Sequence, residues 1–265
     1  MFETTRIPVY KKNNLNTFDF IMTPSNFAKQ TFIDSGVTVP IYVSQQGVDS
    51  DTFTYYEREI DRKPFIFGSY AQMTIRKGSD ILMEAFHEEF KNESADDVIL
   101  NLKTSGSWEP LVPFKDNKII YEHSSLTRKE LVKKLHSWDA FVMPTRGEGF
   151  GLPPIEAIST GLPTIVTDFS GCADYISEKT GYPLKYTLED AWGFSNDPLE
   201  NTGQFAKPDI EHLKYLMRYI YEHREEAFER GKQGSKIIQK KWNWDISAHM
   251  MIKNITQYLK LTHLI

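Results

Sequence analysis

The stretch 145–156 (TRGEGFGLPPIE) carries three glycines, two prolines and two glutamates in one short segment. The glycines let the backbone come close to a ligand, and the prolines suit the first turn of a helix. Free backbone N–H groups at such a helix start favour an anion such as a diphosphate. The carboxylates of Glu148 and Glu156 would then accept hydrogen bonds from hydroxyls that flank this phosphate. A nucleotide sugar has this layout, because it joins a ribose diol, a diphosphate and sugar hydroxyls.

The two glutamates also fit other roles when their spacing is taken alone. A carboxylate in the first helical turn stabilises the helix dipole, which gives Glu156 a purely structural interpretation. The pair Glu148 and Glu156 also fits the acid and nucleophile of a glycoside hydrolase. Hydrolase carboxylates usually face each other across a cleft, however, and need no phosphate-binding helix end between them. The helix start between the two glutamates therefore favours the nucleotide sugar over the hydrolase.

The segments that must position this stretch alternate between short apolar strands and amphipathic helices. Runs such as 140–144 (AFVMP) are apolar without alternation, as expected of strands covered on both sheet faces. This order predicts an α/β fold with a doubly wound parallel sheet, in which ligands bind beyond the carboxyl ends of the strands. The predicted strands are 18–24, 41–44, 65–69, 98–103, 118–122, 140–144 and 164–168, and the predicted helices are 26–34, 79–89, 128–136, 153–160 and a helix-rich tail over 209–261.

The wider stretch 136–171 (HSWDAFVMPTRGEGFGLPPIEAISTGLPTIVTDFSG) closely resembles the donor-binding region of retaining GT-B glycosyltransferases of the E-x7-E group, glycosyltransferase family four. The match includes the strand entry WDAFV, the motif EGFGLP, the second glutamate, and GLP before the next strand. Five other segments resemble the family's basic loop, the end of its N-terminal domain, its interdomain crossing and its C-terminal helices. They are 75–86, 18–36, 45–53, and the pair 206–227 and 240–248.

The resemblance implies a role for each residue of the motif. Glu148 would contact hydroxyls of the donor sugar at the reaction centre, and Glu156 would hold the ribose hydroxyls. Lys77 would neutralise the diphosphate. The backbone that faces the sugar and diphosphate would be that of Gly149, Phe150, Gly151 and Leu152. The family's arginine five residues before the lysine is replaced here by Gln72, and Arg76 is its candidate substitute. Two further nucleotide-side candidates end neighbouring strands, namely Lys103 and His123.

The implied reaction transfers a sugar from a nucleotide donor to an acceptor hydroxyl with retention at the anomeric carbon. In the family's favoured picture the acceptor attacks from the front face, and the leaving diphosphate helps to take its proton. The protein then acts electrostatically, through backbone amides and Lys77, without a nucleophile, a cofactor or a metal. No aspartate pair or histidine cluster in the sequence has metal-ligand spacing.

The order of the motifs predicts one complete donor-binding domain and only part of a second domain. Residues 1–39 would be the last strand and helix of the acceptor-side domain, and 40–64 the interdomain linker. Residues 65–244 would form the nucleotide-sugar domain, and 245–265 a helix that crosses back to the N-terminal side. We therefore expect a glycosyltransferase that needs an N-terminal half from elsewhere, on a separate chain or lost from a fragment. The alternative is a non-catalytic subunit that binds nucleotide sugar or acts as a scaffold.

Composition restricts the compartment and the partners. The 265 residues carry a formal net charge of −5, which gives no general attraction for nucleic acid or anionic membrane. The single cysteine, Cys172, excludes an internal disulfide and a thiolate zinc cage. There is no signal-peptide pattern and no apolar stretch long enough to span a bilayer. We expect a cytoplasmic protein with at most peripheral membrane contact. The unpaired first strand predicts association with a separate N-terminal-domain chain or with a second copy.

Overall fold

The structure is a computed structural model that describes residues 2–104, 116–193 and 200–262. Its strands are β1 (Ile21–Thr23), β2 (Ile41–Val43), β3 (Phe65–Tyr70), β4 (Val98–Thr104), β5 (Ile119–His123), β6 (Ala140–Met143), β7 (Thr164–Thr167), β8 (Tyr182–Leu184), β9 (Tyr186–Asp190) and β10 (Gln204–Pro208). Its helices are α1 (Val9–Leu15), α2 (Asn26–Asp34), α3 (Ser79–Glu89), α4 (Arg128–His136), α5 (Leu152–Ser159), α6 (Ile210–Glu222), α7 (Arg224–Lys241) and α8 (Trp244–Leu261). Two short 3-10 turns lie at Ile75–Lys77 and Ser170–Asp174.

Six strands form the central sheet in the order β5-β4-β3-β6-β7-β8, and all five neighbouring pairs are parallel. The chain builds outward from β3 to β4 and β5, and then returns to place β6 on the other side of β3. This reversal leaves a crevice beyond the carboxyl ends of β3 and β6, where ligands bind in doubly wound sheets. The stretch 145–156 follows β6, and the basic turn Ile75–Lys77 follows β3, so both lie at this reversal.

Successive residues of the central strands pack against two different hydrophobic clusters. In β6, Ala140 and Val142 join one cluster, while Phe141 and Met143 join the other. Alternate side chains of a strand point to opposite faces of the sheet, so helices cover both faces. The side chains of α3 and α6 contribute to the first cluster, and those of α4 and α5 to the second. The predicted doubly wound α/β sheet is confirmed.

A smaller unit precedes the sheet and has its own apolar cluster. Strands β1 and β2 pair in parallel with Ile21 opposite Ile41, apart from the central sheet. Phe2, Ile7 and Phe32 are buried with them in the third cluster. The strand predicted at 41–44 is present as Ile41–Val43, at the start of the predicted linker 40–64. Its backbone pairing with β1 holds it in the N-terminal unit.

The last helix lies against this N-terminal unit. The Asn254 amide of α8 donates a hydrogen bond to the carbonyl of Val43 at 2.8 Å. The ring of Tyr258 packs against Phe20 with centroids 4.6 Å apart. Nearer its start, α8 is tied by Ser247, whose hydroxyl donates to the Gln45 carbonyl at 2.5 Å. Helix α8 therefore joins the two units at a second place besides the chain connection.

Between the two units, the segment after β2 is fixed to the central sheet by a buried arginine. Arg58 is 8% exposed. Its guanidinium donates to the carbonyls of Trp138 at 3.1 Å and Thr160 at 3.0 Å. Thr160 caps the end of α5, so the charge satisfies a carbonyl that the helix itself leaves unpaired. The segment is irregular, as expected, but it is anchored rather than loose.

Some elements were absent from the sequence prediction. Helix α1, strand β8 and the antiparallel pair β9–β10 were not expected. Strand β8 is three residues long and contains Pro183, and β9 has only exposed or partly exposed side chains. Such segments lack the apolar periodicity that sequence patterns depend on. The described helices include none that is long and apolar enough to cross a membrane.

The anchoring of Arg58 predicts a stability effect. Replacing Arg58 with Met keeps the apolar contacts of the stem but takes away the donor of the Trp138 carbonyl, and it leaves the Thr160 carbonyl with only the Tyr56 N–H. We expect the free energy of unfolding to fall by about 2–4 kcal/mol, measured by urea denaturation. The matched control is Lys236→Met on the exposed face of α7, which should change it by less than about 0.5 kcal/mol. Equal midpoints for the two variants would contradict the anchoring role.

Candidate functional site

The glycine-rich loop after β6 places Glu148 in a buried cluster of charged groups. The Glu148 side chain is 8% exposed, and its Oε1 lies 2.6 Å from Lys77 Nζ and 3.3 Å from Arg76 Nη1. The Thr145 hydroxyl donates to the same oxygen at 3.0 Å. The structure therefore brings together Glu148, Lys77 and Arg76, which lie about seventy positions apart in the sequence.

The charges of this cluster do not cancel. Two cations surround a single carboxylate, so the cluster carries one net positive charge in a place with little water. A buried carboxylate is tolerated only when it is paired and hydrogen-bonded, and here three groups satisfy it. The surplus positive charge would favour an anion that approaches the start of α5.

A second set of contacts holds the loop and the basic turn in register. Arg146 makes a two-pronged ion pair with Asp80 at the start of α3, with both N–O distances at 2.9 Å. It also donates to the carbonyl of Ile75 in the basic turn, and its Nε lies 3.3 Å from Glu189 of β9. Arg146 thus ties the loop before Glu148 to the turn that carries Lys77. Sequence reasoning missed this residue.

The main chain around Glu148 is fixed by the turn after β7. The Ser170 hydroxyl accepts the N–H of Glu148 at 2.8 Å, and the Gly171 N–H donates to the Glu148 carbonyl at 2.9 Å. Ser170 adopts a positive φ of 57°, which is uncommon for a residue other than glycine. This strained residue is held by the surrounding contacts, as is typical of functional sites.

Helix α5 begins immediately after the glycines. Gly151 caps it with a φ of 91°, a left-handed conformation that suits glycine. A Cβ at this position would lie 2.6 Å from the sulfur of Cys172 and 2.7 Å from the Tyr175 hydroxyl. Pro153 lies in the first turn, as expected. Phe150 is fully buried between Tyr175 and Trp242, so its side chain anchors the loop in the core.

Glu156 lies four residues after Leu152, the first residue of α5. Its carboxylate accepts a hydrogen bond from the hydroxyl of Tyr70, which lies at the end of β3. Burial raises the pKa of Glu156 to about 7, and the Tyr70 hydrogen bond and the charge of Arg128 partly oppose that rise. The carboxylate thus lies in a poorly solvated position, where added hydrogen-bond donors would stabilise its charged form. Tyr70 is a second residue that sequence reasoning missed, although it ends a strand next to Lys103.

The remaining predicted residues lie outside the Glu148 cluster. Gln72 is exposed, and Arg76 is the arginine that reaches the loop. Lys103 is 7% exposed, and its amine donates to the Ser124 carbonyl at 2.6 Å, on the β5 side. Burial lowers the pKa of Lys103. His123 is exposed at the end of β5. The structure therefore places Lys103 and His123 one and two strands away from β3, and residues 105–115, which follow β4 in the sequence, lie outside the described residues.

The N-terminal unit also contacts the glycine-rich loop. The hydroxyl of Ser25, which caps α2, donates to the Gly149 carbonyl at 2.7 Å. The N–H of Asn26 donates to Asp174 at 2.8 Å. Gly147 packs closely against the backbone of Glu3. A Cβ on Gly147 would lie only 2.2 Å from the Glu3 carbonyl oxygen. One wall of the candidate site is therefore supplied by the N-terminal unit.

In the described residues, no group of three or more His, Cys, Asp or Glu side chains could hold a metal ion.

Comparison with known proteins decides the family. Residues 115–251, more than half of the chain, match the family described as family 4 glycosyltransferases in conflict systems. The chain belongs to this family. The resemblance to glycosyltransferase family four is thereby confirmed, and the match covers Glu148 and Glu156 but not Lys77.

Similar proteins agree with this placement. Glycosyltransferase 45 of the Sulfolobus islandicus filamentous virus is 24% identical over 231 residues, covering 85% of this chain and 63% of that protein. The lipopolysaccharide core biosynthesis mannosyltransferase LpsB of Rhizobium meliloti is 40% identical over 67 residues, which is 22% of this chain and 19% of LpsB. The chain thus spans less than two thirds of the length of either relative.

Solved structures share the fold at low identity. Sucrose-phosphate synthase from Thermosynechococcus elongatus aligns with a TM-score of 0.70 and 18% identity over 95% of this chain and 61% of its own. Anabaena HepE, solved with UDP and glucose, aligns with a TM-score of 0.72 and 13% identity over 94% and 66%. This member of the family accordingly has a GT-B-type fold.

The environment of Glu156 predicts its titration. We expect its carboxyl carbon, identified in NMR spectra as the resonance missing from Glu156→Gln, to titrate with a midpoint of about 7. Tyr70→Phe removes a donor that stabilises the charged form, so the midpoint should move to higher pH. A midpoint near the ordinary value of 4.5, unmoved by Tyr70→Phe, would contradict the buried arrangement.

Proposed function

We propose that this chain is the donor-binding part of a glycosyltransferase. It would transfer a sugar from a nucleotide sugar to an acceptor hydroxyl with retention of the anomeric configuration. The observation that carries the proposal is the pair of cations, Lys77 and Arg76, gathered on Glu148 beside the start of α5. Family membership and the position at the sheet reversal support it. The donor is the substrate, and the proposal includes no cofactor and no metal.

The proposed role of each group follows from its position relative to the amino end of α5. The diphosphate would bind at the amino end of the helix, against the backbone of Gly149 and Gly151, with its charge balanced by Lys77 and Arg76. Binding an anion there requires both cations to share their hydrogen bonds between Glu148 and phosphate oxygens. Glu148 would then be free to accept a hydrogen bond from a hydroxyl of the donor sugar, and Glu156 would accept hydrogen bonds from the ribose hydroxyls. Lys103 and His123 stay secondary candidates on the nucleotide side.

Catalysis in this proposal is electrostatic. As the bond between the anomeric carbon and the diphosphate oxygen breaks, negative charge grows on the diphosphate, where Lys77, Arg76 and the helix start already lie. The acceptor hydroxyl attacks from the same face, and its proton passes to the departing diphosphate oxygen. The new bond then replaces the old one with the same configuration. No enzyme nucleophile takes part.

Two alternatives make different predictions. A non-catalytic binding or scaffold subunit would hold nucleotide sugar without turnover. A glycoside hydrolase would use a general acid, and the raised pKa of Glu156 is the property that such an acid needs. The cations on Glu148 favour transfer over hydrolysis, because a hydrolase has no diphosphate to bind. The acceptor-side half that a GT-B enzyme requires is proposed to come from another polypeptide or another part of a longer chain.

The role of Glu156 predicts a loss of nucleotide affinity. Glu156→Gln should weaken binding of a nucleoside diphosphate by about 1.5–3 kcal/mol, typical of hydrogen bonds to a charged group, measured by calorimetry at pH 8. The difference between parent and variant should shrink as the pH falls through about 7, because the parent carboxylate becomes protonated. The control is Glu84→Gln on the exposed side of α3, and equal losses for both variants would refute the ribose role.

The role of Glu148 predicts a loss of turnover. With the polypeptide encoded immediately upstream added, the chain should release nucleoside diphosphate from one member of a nucleotide-sugar set and form a product of unchanged anomeric configuration. Glu148→Gln should lower kcat about 100-fold, as does loss of one transition-state contact, while Glu84→Gln should not. Binding without turnover in every combination would support the scaffold alternative, and inversion of configuration would refute the retaining mechanism.

A further inference from the structure

A second cleft lies at the β8 edge of the central sheet, away from the donor loop. It encloses about 950 Å³ between β8, the start of β9 and the helices α6 and α7. We define the tyrosine cleft by six of its lining residues: Tyr182, Tyr186, Tyr215, Tyr219, Asp168 and Arg230. We propose that the tyrosine cleft is a glycan-binding site for an uncharged oligosaccharide.

Aromatic rings exposed on the walls of the cleft are the first support. Tyr215 is 59% exposed and Tyr186 is 37% exposed. His212, another lining residue, lies beside Tyr215, and its ring is nearly parallel to that of Tyr215 at 15°, with centroids 6.2 Å apart. The negative faces of such rings attract weakly positive hydrogens, and the C–H face of a pyranose presents a row of them. Two accessible rings therefore offer stacking platforms for sugar units.

Polar groups without partners are the second support. Tyr182 is 2% exposed, and its hydroxyl has no hydrogen-bond partner among the described residues. A buried hydroxyl without a partner costs free energy that a ligand hydroxyl would recover. Asp168, at the carboxyl end of β7, is exposed to the cleft and makes no side-chain hydrogen bond or ion pair within the described parts of the chain. A carboxylate of this kind can accept hydrogen bonds from two neighbouring sugar hydroxyls.

The charge of the cleft argues against a nucleic acid or a phosphate. Asp168, Glu178 and Asp209 are opposed by only Lys185 and Arg230. Arg230 is partly neutralised by Glu226 at 2.9 Å, and its guanidinium covers the ring of Tyr182 at 4.2 Å. The net charge of the lining residues is weakly negative, whereas binding of nucleic acid depends on clustered positive charge. A neutral polyhydroxylated ligand is the class that fits aromatic faces, a free carboxylate and little net charge.

The cleft is connected to the donor loop by one short turn. Asp168 is followed directly by Phe169, whose ring packs on Tyr186 at 5.1 Å, and then by Ser170, which accepts the N–H of Glu148. A glycan held in the tyrosine cleft would thus lie beside the turn that shapes the donor site. Glycan binding here does not depend on transfer, so it can be true or false independently of the proposed function.

The test is affinity electrophoresis of the folded chain in gels that contain α-mannan, dextran or β-glucan, without any nucleotide sugar. We expect retardation by at least one of these neutral polysaccharides, and a loss of affinity of at least tenfold in both Tyr215→Ala and Asp168→Asn. The control is Tyr10→Ala, which removes a ring that is 54% exposed outside the cleft and should change nothing.

The controls separate this proposal from the proposed function. Tyr215→Ala and Asp168→Asn should keep the circular dichroism spectrum of the parent, which shows that they are folded, and should bind nucleoside diphosphate as the parent does. Absence of retardation by all three polysaccharides, or equal retardation of parent and variants, would overturn the glycan site. Retardation by polyuridylate but not by the neutral polymers would overturn it in favour of an anionic ligand.

Discussion

The arrangement of the candidate site depends on the buried carboxylate of Glu148, which must be paired with other groups. Glu148 lies on a loop with little access to water, and a carboxylate there requires cations and hydrogen-bond donors around it. The chain meets this need with Lys77 and Arg76 from the turn after β3 and with Thr145 from its own loop. Because β3 and β6 are neighbours at the sheet reversal, the pairing fixes the relative positions of the two loops. The arrangement of the candidate donor site follows from this fixation.

Arg146 extends the same constraint to the rest of the domain. Its ion pair with Asp80 fastens the loop to the start of α3, and its contact with Glu189 reaches the β9–β10 hairpin. On the other side, Ser25 and Asn26 hold the amino end of α2 against Gly149 and Asp174. The glycine-rich loop is therefore clamped from three directions, so it is held in one geometry before any ligand arrives. Preformed polar groups of this kind need little reorganisation during a reaction.

Sequence patterns predicted the elements whose local signals agree with their burial. The bounds of α2, α3 and α4 were predicted residue for residue. Two of these helices begin at a side-chain N-cap, Ser25 before α2 and the Thr127–Glu130 capping box before α4. The two glutamates and the basic turn were also found, because their residue types and motif order were distinctive. The GT-B type and the family four assignment came from the resemblance rather than from periodicity.

What the sequence could not predict depends on contacts between distant residues. The Tyr70–Glu156 hydrogen bond joins residues 86 positions apart, and the Arg146–Asp80 pair joins residues 66 apart. Neither has a local signature, since both exist only after β3, β6 and α3 are packed together. The short strands β8 to β10 were missed for a similar reason, because partners elsewhere in the chain define them. The tyrosine cleft is likewise assembled from β8, α6 and α7 and has no contiguous motif.

The central claim is that the loop after β6 and the basic turn after β3 form one diphosphate site. The most direct test is a crystal structure of the chain soaked with a nucleoside diphosphate. The account predicts the diphosphate at the amino end of α5 within hydrogen-bonding distance of Lys77 and Arg76, with the ribose hydroxyls on Glu156. A nucleotide bound elsewhere on the chain, with the Lys77–Glu148 pair undisturbed, would contradict it.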